Sequence, residues 1–144
     1  GNVSLLSTIG LDGVVLQHYF RGGVNGDMFK EYMEELVYAL PPDCFLVMDN
    51  CSIHHKHEEY LVALFRMRRI EIIFLPPYSP DLSPIEIFFG RTKGEMQVNK
   101  DIYNTLDQRL PKNRAAVAKI KWATDSISKS CFANWYRHCG WNKV

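Results

Sequence analysis

The feature that most constrains this chain is the run Leu75 to Glu86, LPPYSPDLSPIE, which holds Pro76, Pro77, Pro80 and Pro84. Each proline fixes its own φ, removes a backbone donor and drives the residue before it out of the helical region. The run therefore reads as a rigid, extended connection that cannot enter a sheet. It follows an apolar stretch, Ile70 to Leu75, and ends where Pro84 falls in the first turn of a new helix, a position where a missing N–H costs nothing. Glu86 projects from that turn. Upstream, Val47 to His54 reads VMDNCSIH and closes another apolar run that starts at Cys44. Asp49 is thus expected at the exposed C-terminal end of a buried strand, where open α/β sheets place their ligands.

A carboxylate at a strand end and another at a helix start suit a divalent magnesium or manganese ion, a hard cation that prefers oxygen ligands and keeps positions open for water and phosphate. Either residue alone reads equally well as an ordinary cap, because Asp and Asn favour turns and Glu favours a helix N-terminus. What turns the reading towards phosphoryl transfer is the combination.

That combination carries a resemblance. LPPYSPDLSPIEIFFGRTK, preceded by MDNCSIH, resembles the catalytic signature of mariner-superfamily transposases and their insertion-sequence relatives, DDE recombinases with an RNase H-like fold. The resemblance covers about Val3 to Gln97. It implies that Asp49 is the second acidic metal ligand and Glu86 the third, and Glu86 stands 37 positions after Asp49 (86 − 49). His54 and Asn50 are implied as supporting residues beside Asp49. Ser83 replaces an Asn common in the pattern, and Phe89 replaces a Trp. The first acidic ligand of the family lies on a strand upstream of the one that Val3 to Ile9 resembles. Neither Asp12, in a Leu-Asp-Gly turn, nor Asp27, near a helix start, matches its position. The expectation is an incomplete triad, as in a fragment or in a decayed or domesticated copy of a mobile element.

Periodicity gives the expected elements in order. Val3 to Ile9 and Val14 to Phe20 form a hairpin around Leu11-Asp12-Gly13. Asn25 caps a helix in which Met28, Phe29, Tyr32, Met33, Leu36, Val37 and Leu40 recur at helical spacing up to Pro41. Cys44 to Met48 is a strand, a turn around His54 follows, Glu58 to Arg68 is a helix, and Glu71 to Leu75 is a strand parallel to the first. A helix from Pro84 to about Val98 carries Glu86, with Lys93 two turns further along its side. Beyond Lys100 the chain changes character. Pro111 punctuates it, a basic amphipathic helix holds Arg114, Val117, Lys119 and Trp122, and a further turn or helix holds Phe132, Trp135 and Tyr136.

The expected architecture is α/β, an RNase H-like mixed sheet with flanking helices, first strand missing, plus a C-terminal helical extension. Residues 1–99 form the core, and residues 100–144 extend the same domain. With 144 residues and 47% hydrophobic content, one packed domain is expected. A formal charge of +1 neither favours nor excludes nucleic acid. No leader or apolar span long enough for a membrane is visible, so an intracellular protein is expected, nuclear in a eukaryote and otherwise cytoplasmic. Cys44, Cys51, Cys131 and Cys139 show no disulfide framework. His54, His55 and His57 with Cys51 lack the separated ligand pairs of structural zinc. Cys131, Cys139 and His138 read as core packing.

The function implied is metal-dependent DNA strand cleavage and transfer, with magnesium or manganese held by Asp49 and Glu86. The partners are transposon ends and target DNA, and a homodimer. Arg91, Lys93, Arg114 and Lys119 are the candidate phosphate contacts. The competing reading is a non-catalytic DNA- or protein-binding remnant; a weaker one is an RNase H-like nuclease acting on RNA or a hybrid.

Overall fold

The computed structural model describes residues 3–77, 79–101, 104 and 112–141. The chain divides into two compact units, one formed by Val24–Ser83 and the other by Gly1–Gly23 with Pro84–Val144. Pro111, read as a break, lies outside the described residues, and so does the tail beyond Trp141. No helix among the described residues is long and apolar enough to cross a membrane.

The central unit opens with α1 (Gly26–Ala39), which starts where the sequence says it should: the Asn25 side chain accepts a hydrogen bond from the Met28 amide at 2.9 Å. This satisfies one of the donors left over in the first turn. Phe29, Tyr32, Met33, Leu36 and Val37 form its buried stripe, each at most 4% exposed. Pro41 prevents continuation. Arg68 closes the C-terminal end, its Nη1 donating to the carbonyls of Val37 and, at 2.7 Å, Leu40. A cation there meets both the orphan carbonyls and the negative end of the helix dipole.

Next come β3 (Phe45–Met48), α2 (Ser52–His55), α3 (Glu58–Arg66) and β4 (Glu71–Phe74), numbered after the two strands β1 and β2 of the other unit. The strands β3 and β4 pair in parallel with Phe45 opposite Glu71 and Met48 opposite Phe74. Pairing continues one step further, where the Leu75 amide donates to the Met48 carbonyl at 2.8 Å. Leu61, Phe65 and Ile70 are buried beneath the crossover. At the entry to both strands, Asp43 and Arg69 adopt positive φ, 61° and 56°. Neither is glycine, so each is strained. Their two side chains form a forked ion pair, with Arg69 Nη2 to Asp43 Oδ2 at 2.9 Å, that spans the two strained turns.

The other unit begins with β1 (Val3–Gly10) and β2 (Gly13–Arg21), an antiparallel hairpin whose register runs from Val3 opposite Arg21 to Gly10 opposite Gly13. Gly13 has φ of 126°, a conformation that a Cβ disfavours, which is why the turn ends on glycine. Helices α4 (Pro84–Val98), α5 (Lys112–Asp125) and α6 (Lys129–His138) complete the unit. Phe88, Ile127 and Phe132 form its core, with Ile9, Ile85, Phe89, Cys131 and Trp135 packed around them. Cys139 is also buried. The Tyr136 hydroxyl donates to the Ile9 carbonyl at 2.9 Å, tying α6 to β1, and burial pushes its pKa up to about 12.

The architecture is α/β, as expected. The sequence suggested one mixed sheet; the described strands instead form two sheets of two strands each, β1 with β2 and β3 with β4. Strand pairing between distant segments is a non-local property, and alternation within a strand does not specify its neighbour. The segment around His54, expected as a turn, contains the four-residue α2, and a short 3₁₀ turn spans Pro80–Leu82.

Candidate active site

Asp49 follows the last residue of β3, and its side chain is 65% exposed. A parallel pair directs the loops after both strands to one end, so the Asp49 turn and the Pro76-Pro77 segment leave from the same end of the pair. The carboxylate is not left to wander. Its Oδ1 accepts from the Cys51 amide at 3.3 Å, and His54 Nδ1 lies 2.9 Å from the same oxygen and 3.1 Å from the Asp49 carbonyl. His54 is in turn fixed by α1, its ring centroid lying 4.6 Å from that of Phe29. One carboxylate oxygen is thus occupied by local contacts while the side chain stays open to solvent.

The neighbouring residues are held in the same manner. Asn50 Oδ1 contacts His55 Nε2, while His55 Nδ1 lies 3.0 Å from Glu58 Oε2 and its ring sits 4.5 Å from that of Phe74 on β4. His57 Nε2 reaches Asp27 Oδ1 at 2.7 Å, and Lys56 Nζ reaches it at 3.1 Å. These hydrogen bonds, that of His57 first, hold the Asp27 carboxyl below the usual carboxylate range. Asp27 therefore serves as a clamp between the start of α1 and the α2–α3 junction. Three histidines in the span 54–57 each pair with a different carboxylate, Asp49, Glu58 and Asp27. The sequence shows them as a cluster, but their spacing around a four-residue helix does not reveal which acid each one meets.

Glu86 belongs to the other unit. It projects from the first turn of α4, exposed, two residues after the buried Pro84 and two before Phe88, which has no exposed surface. Pro84 supplies the helical φ in advance, and Phe88 with Ile85 anchors that turn in the core. Among the described residues Glu86 makes no ion pair. Asp49 and Glu86 thus lie in different compact units, and each is defined within its own frame. No group of three or more His, Cys, Asp or Glu side chains able to hold a metal occurs among the described residues.

The four candidate phosphate contacts all lie in the unit that carries Glu86. Arg91 is engaged by Glu95 one turn along α4 at 3.1 Å, an i,i+4 pair legible from spacing. Lys93 and Arg114 are exposed, and Lys119 is half-buried on α5.

No curated protein and no solved structure matches the chain. The sequence profile of the DDE superfamily endonuclease family matches residues 1–108, a span that includes Asp49, Glu86 and the proline-rich connection between β4 and α4. Since the match covers well over half of the 144 residues, the chain belongs to the DDE superfamily endonuclease family.

Proposed function

We propose that this chain is the mariner-type catalytic core of a DNA transposase, in which Asp49 and Glu86 are two of the acidic ligands for magnesium or manganese. The observation that carries this reading is the state of Asp49: an exposed carboxylate at the C-terminal end of β3, with Oδ1 held by His54 and the Cys51 amide. Glu86, exposed and without an ion pair among the described residues, adds a second carboxylate of the right kind. Two exposed carboxylates from separate elements fit a hard divalent cation, which is bound through a few side chains and completed by water and phosphate oxygens. When bound, such ions activate a water or a 3′ hydroxyl and offset the charge that develops on phosphate.

The chain's own residues then have distinct roles. Asp49 and Glu86 bind, His54 and Asn50 orient the Asp49 turn, and Lys93, Arg91, Arg114 and Lys119 meet the DNA backbone. A third carboxylate belongs to the proposal, on a strand outside these residues, in an RNase H-like arrangement. Asp27 is committed to His57 and Lys56, and Asp12 sits exposed in the hairpin turn. The engagement of Asp27 by His57 and Lys56 favours a second reading, a DNA-binding remnant without catalysis. Plasmid nicking in magnesium or manganese separates the two. The catalytic reading predicts no nicking by these 144 residues alone and nicking once an upstream strand bearing Asp is joined to them, lost again on Asp49→Ala or Glu86→Ala. If the extended protein binds DNA and still leaves plasmid intact, the remnant reading holds.

A further inference from the structure

A groove of about 340 Å³ lies within the unit formed by the hairpin and α4 to α6, between one face of the β1–β2 sheet and α5. Val3, Tyr19, Phe20 and Arg21 line its sheet side, and Arg114, Val117 and Ala118 line its helix side. The placement follows from two periodicities. Tyr19 and Arg21 are two apart on β2, and Val3 is the register partner of Arg21, so all three share a face. Arg114, Val117 and Ala118 stand at i, i+3 and i+4 on one stripe of α5.

We propose that this groove binds an unpaired nucleotide of single-stranded DNA, with a base against Tyr19 and the apolar floor and the flanking phosphates on Arg21 and Arg114. The proposal extends the reading of the chain as a DNA-processing domain and identifies a site separate from the two acidic residues. The volume is at the lower end of small-ligand pockets, about 300 to 1,000 Å³, so it admits a nucleotide and not a duplex. Val3, Val117 and Ala118 offer an apolar surface, and aromatic stacking on a base is worth roughly 1–3 kcal/mol without regard to sequence. Arg21 and Arg114 are both exposed, and neither makes an ion pair among the described residues. Guanidinium groups in that state suit phosphate, which they can meet with two parallel hydrogen bonds. Tyr19 is oriented in advance: Gln17 Nε2 donates to its hydroxyl at 2.7 Å and reaches Thr124 Oγ1 on α5 at 3.5 Å. Burial pushes the Tyr19 pKa up, so its ring carries no charge to repel a phosphate near neutrality. The negative charge on Asp125 also raises the Tyr19 pKa and offsets part of the positive charge that Arg21 and Arg114 bring to the groove.

The test is fluorescence anisotropy with the full chain in EDTA, using a labelled oligothymidylate, the same strand carrying abasic sites, and a duplex of equal length. The wild type should prefer the intact single strand to both others. Arg21→Gln with Arg114→Gln should weaken single-strand binding by about tenfold or more and reduce the slope of log K against log salt by about 1.4, some 0.7 per lost contact. Tyr19→Ala should lose about fivefold to a hundredfold and no longer distinguish the abasic strand, whereas Tyr19→Phe should retain both properties. Unchanged thermal melting of the arginine variants checks that folding is intact. The proposal is overturned if the double variant binds single strands within twofold of wild type, or if duplex and single-strand binding fall equally. It also fails if Asp49→Asn and Glu86→Gln abolish the binding, because the strand then runs through the acidic residues. Failure of the groove with metal binding intact would leave the proposed catalytic role standing.

Discussion

Phe88→Ala should be among the most damaging single changes to the unit that carries Glu86. The side chain has no exposed surface, and its ring centroid lies 5.7 Å from Phe89, 5.9 Å from Phe132 and 6.4 Å from Trp135. Truncation removes the transfer free energy of the ring and leaves a cavity that rigid neighbours cannot fill, a loss of about 3–5 kcal/mol. Of that, lost ring-to-ring geometry accounts for about 0.5–1.5 kcal/mol. The Thr92 hydroxyl donates to the Phe88 carbonyl at 2.9 Å, a backbone contact that the substitution spares, so the loss reports side-chain packing. Urea unfolding followed by tryptophan fluorescence suits the measurement because Trp135 adjoins the cavity, and circular dichroism in parallel checks that the transition is two-state. Val98→Ala, on the same helix but 84% exposed, is the control and should change stability by less than about 0.5 kcal/mol. A loss below about 1 kcal/mol for Phe88→Ala would refute the claim that this ring anchors the first turns of α4.

Two further outcomes concern pH. Asp27 and Asp43 have pKa values held below the unfolded value of 3.8, by His57 and Lys56 in the first case and by Arg69 in the second. Their contribution is therefore present above that value and lost as pH falls through the folded values, and thermal melts of Asp27→Asn and Asp43→Asn should show a flatter acid limb than wild type. Tyr136 has the opposite sense: its pKa is raised from 10.0 to about 12, so stability should fall as pH rises through that window. Tyr136→Phe should reduce that alkaline decline, to which Tyr19 and Tyr60 also contribute, and, at neutral pH, cost about 1 kcal/mol for the hydrogen bond to Ile9, read by urea unfolding.

The elements that could be read from the sequence are those with local causes. Asn25 with its apolar stripe marks α1, and Pro84 marks the start of α4 to the residue. The helical crossover between two apolar runs gives β3 and β4 as a parallel pair. What was not legible depends on tertiary contacts. α2 has four residues and no stripe of its own; it is held through His54 and His55, whose partners are distributed over α1, the turn after β3, α3 and β4. The helix expected to run to Arg68 ends at Arg66, because Arg68 turns to cap α1 and Arg69 adopts a left-handed conformation. Asp27 was distinguished from a catalytic acid by position alone, and only the structure gives its clamp with His57 and Lys56. Arg21 was missed as a functional candidate because β2 was expected to end at Phe20, and nothing local indicates that a helix more than ninety positions later shares its groove.

Manganese binding to the chain, followed by electron paramagnetic resonance of the free ion, tests the central claim most directly. If Asp49 and Glu86 are metal ligands, the wild type should bind Mn²⁺, and Asp49→Asn and Glu86→Gln should each weaken binding by more than the roughly 10- to 100-fold that loss of a supporting residue costs. His54→Ala, which removes the contact that orients Asp49 together with the ring packing on Phe29, should fall within that range where the fold is intact. Affinity unchanged in both acidic variants, with the fold intact, would contradict the account.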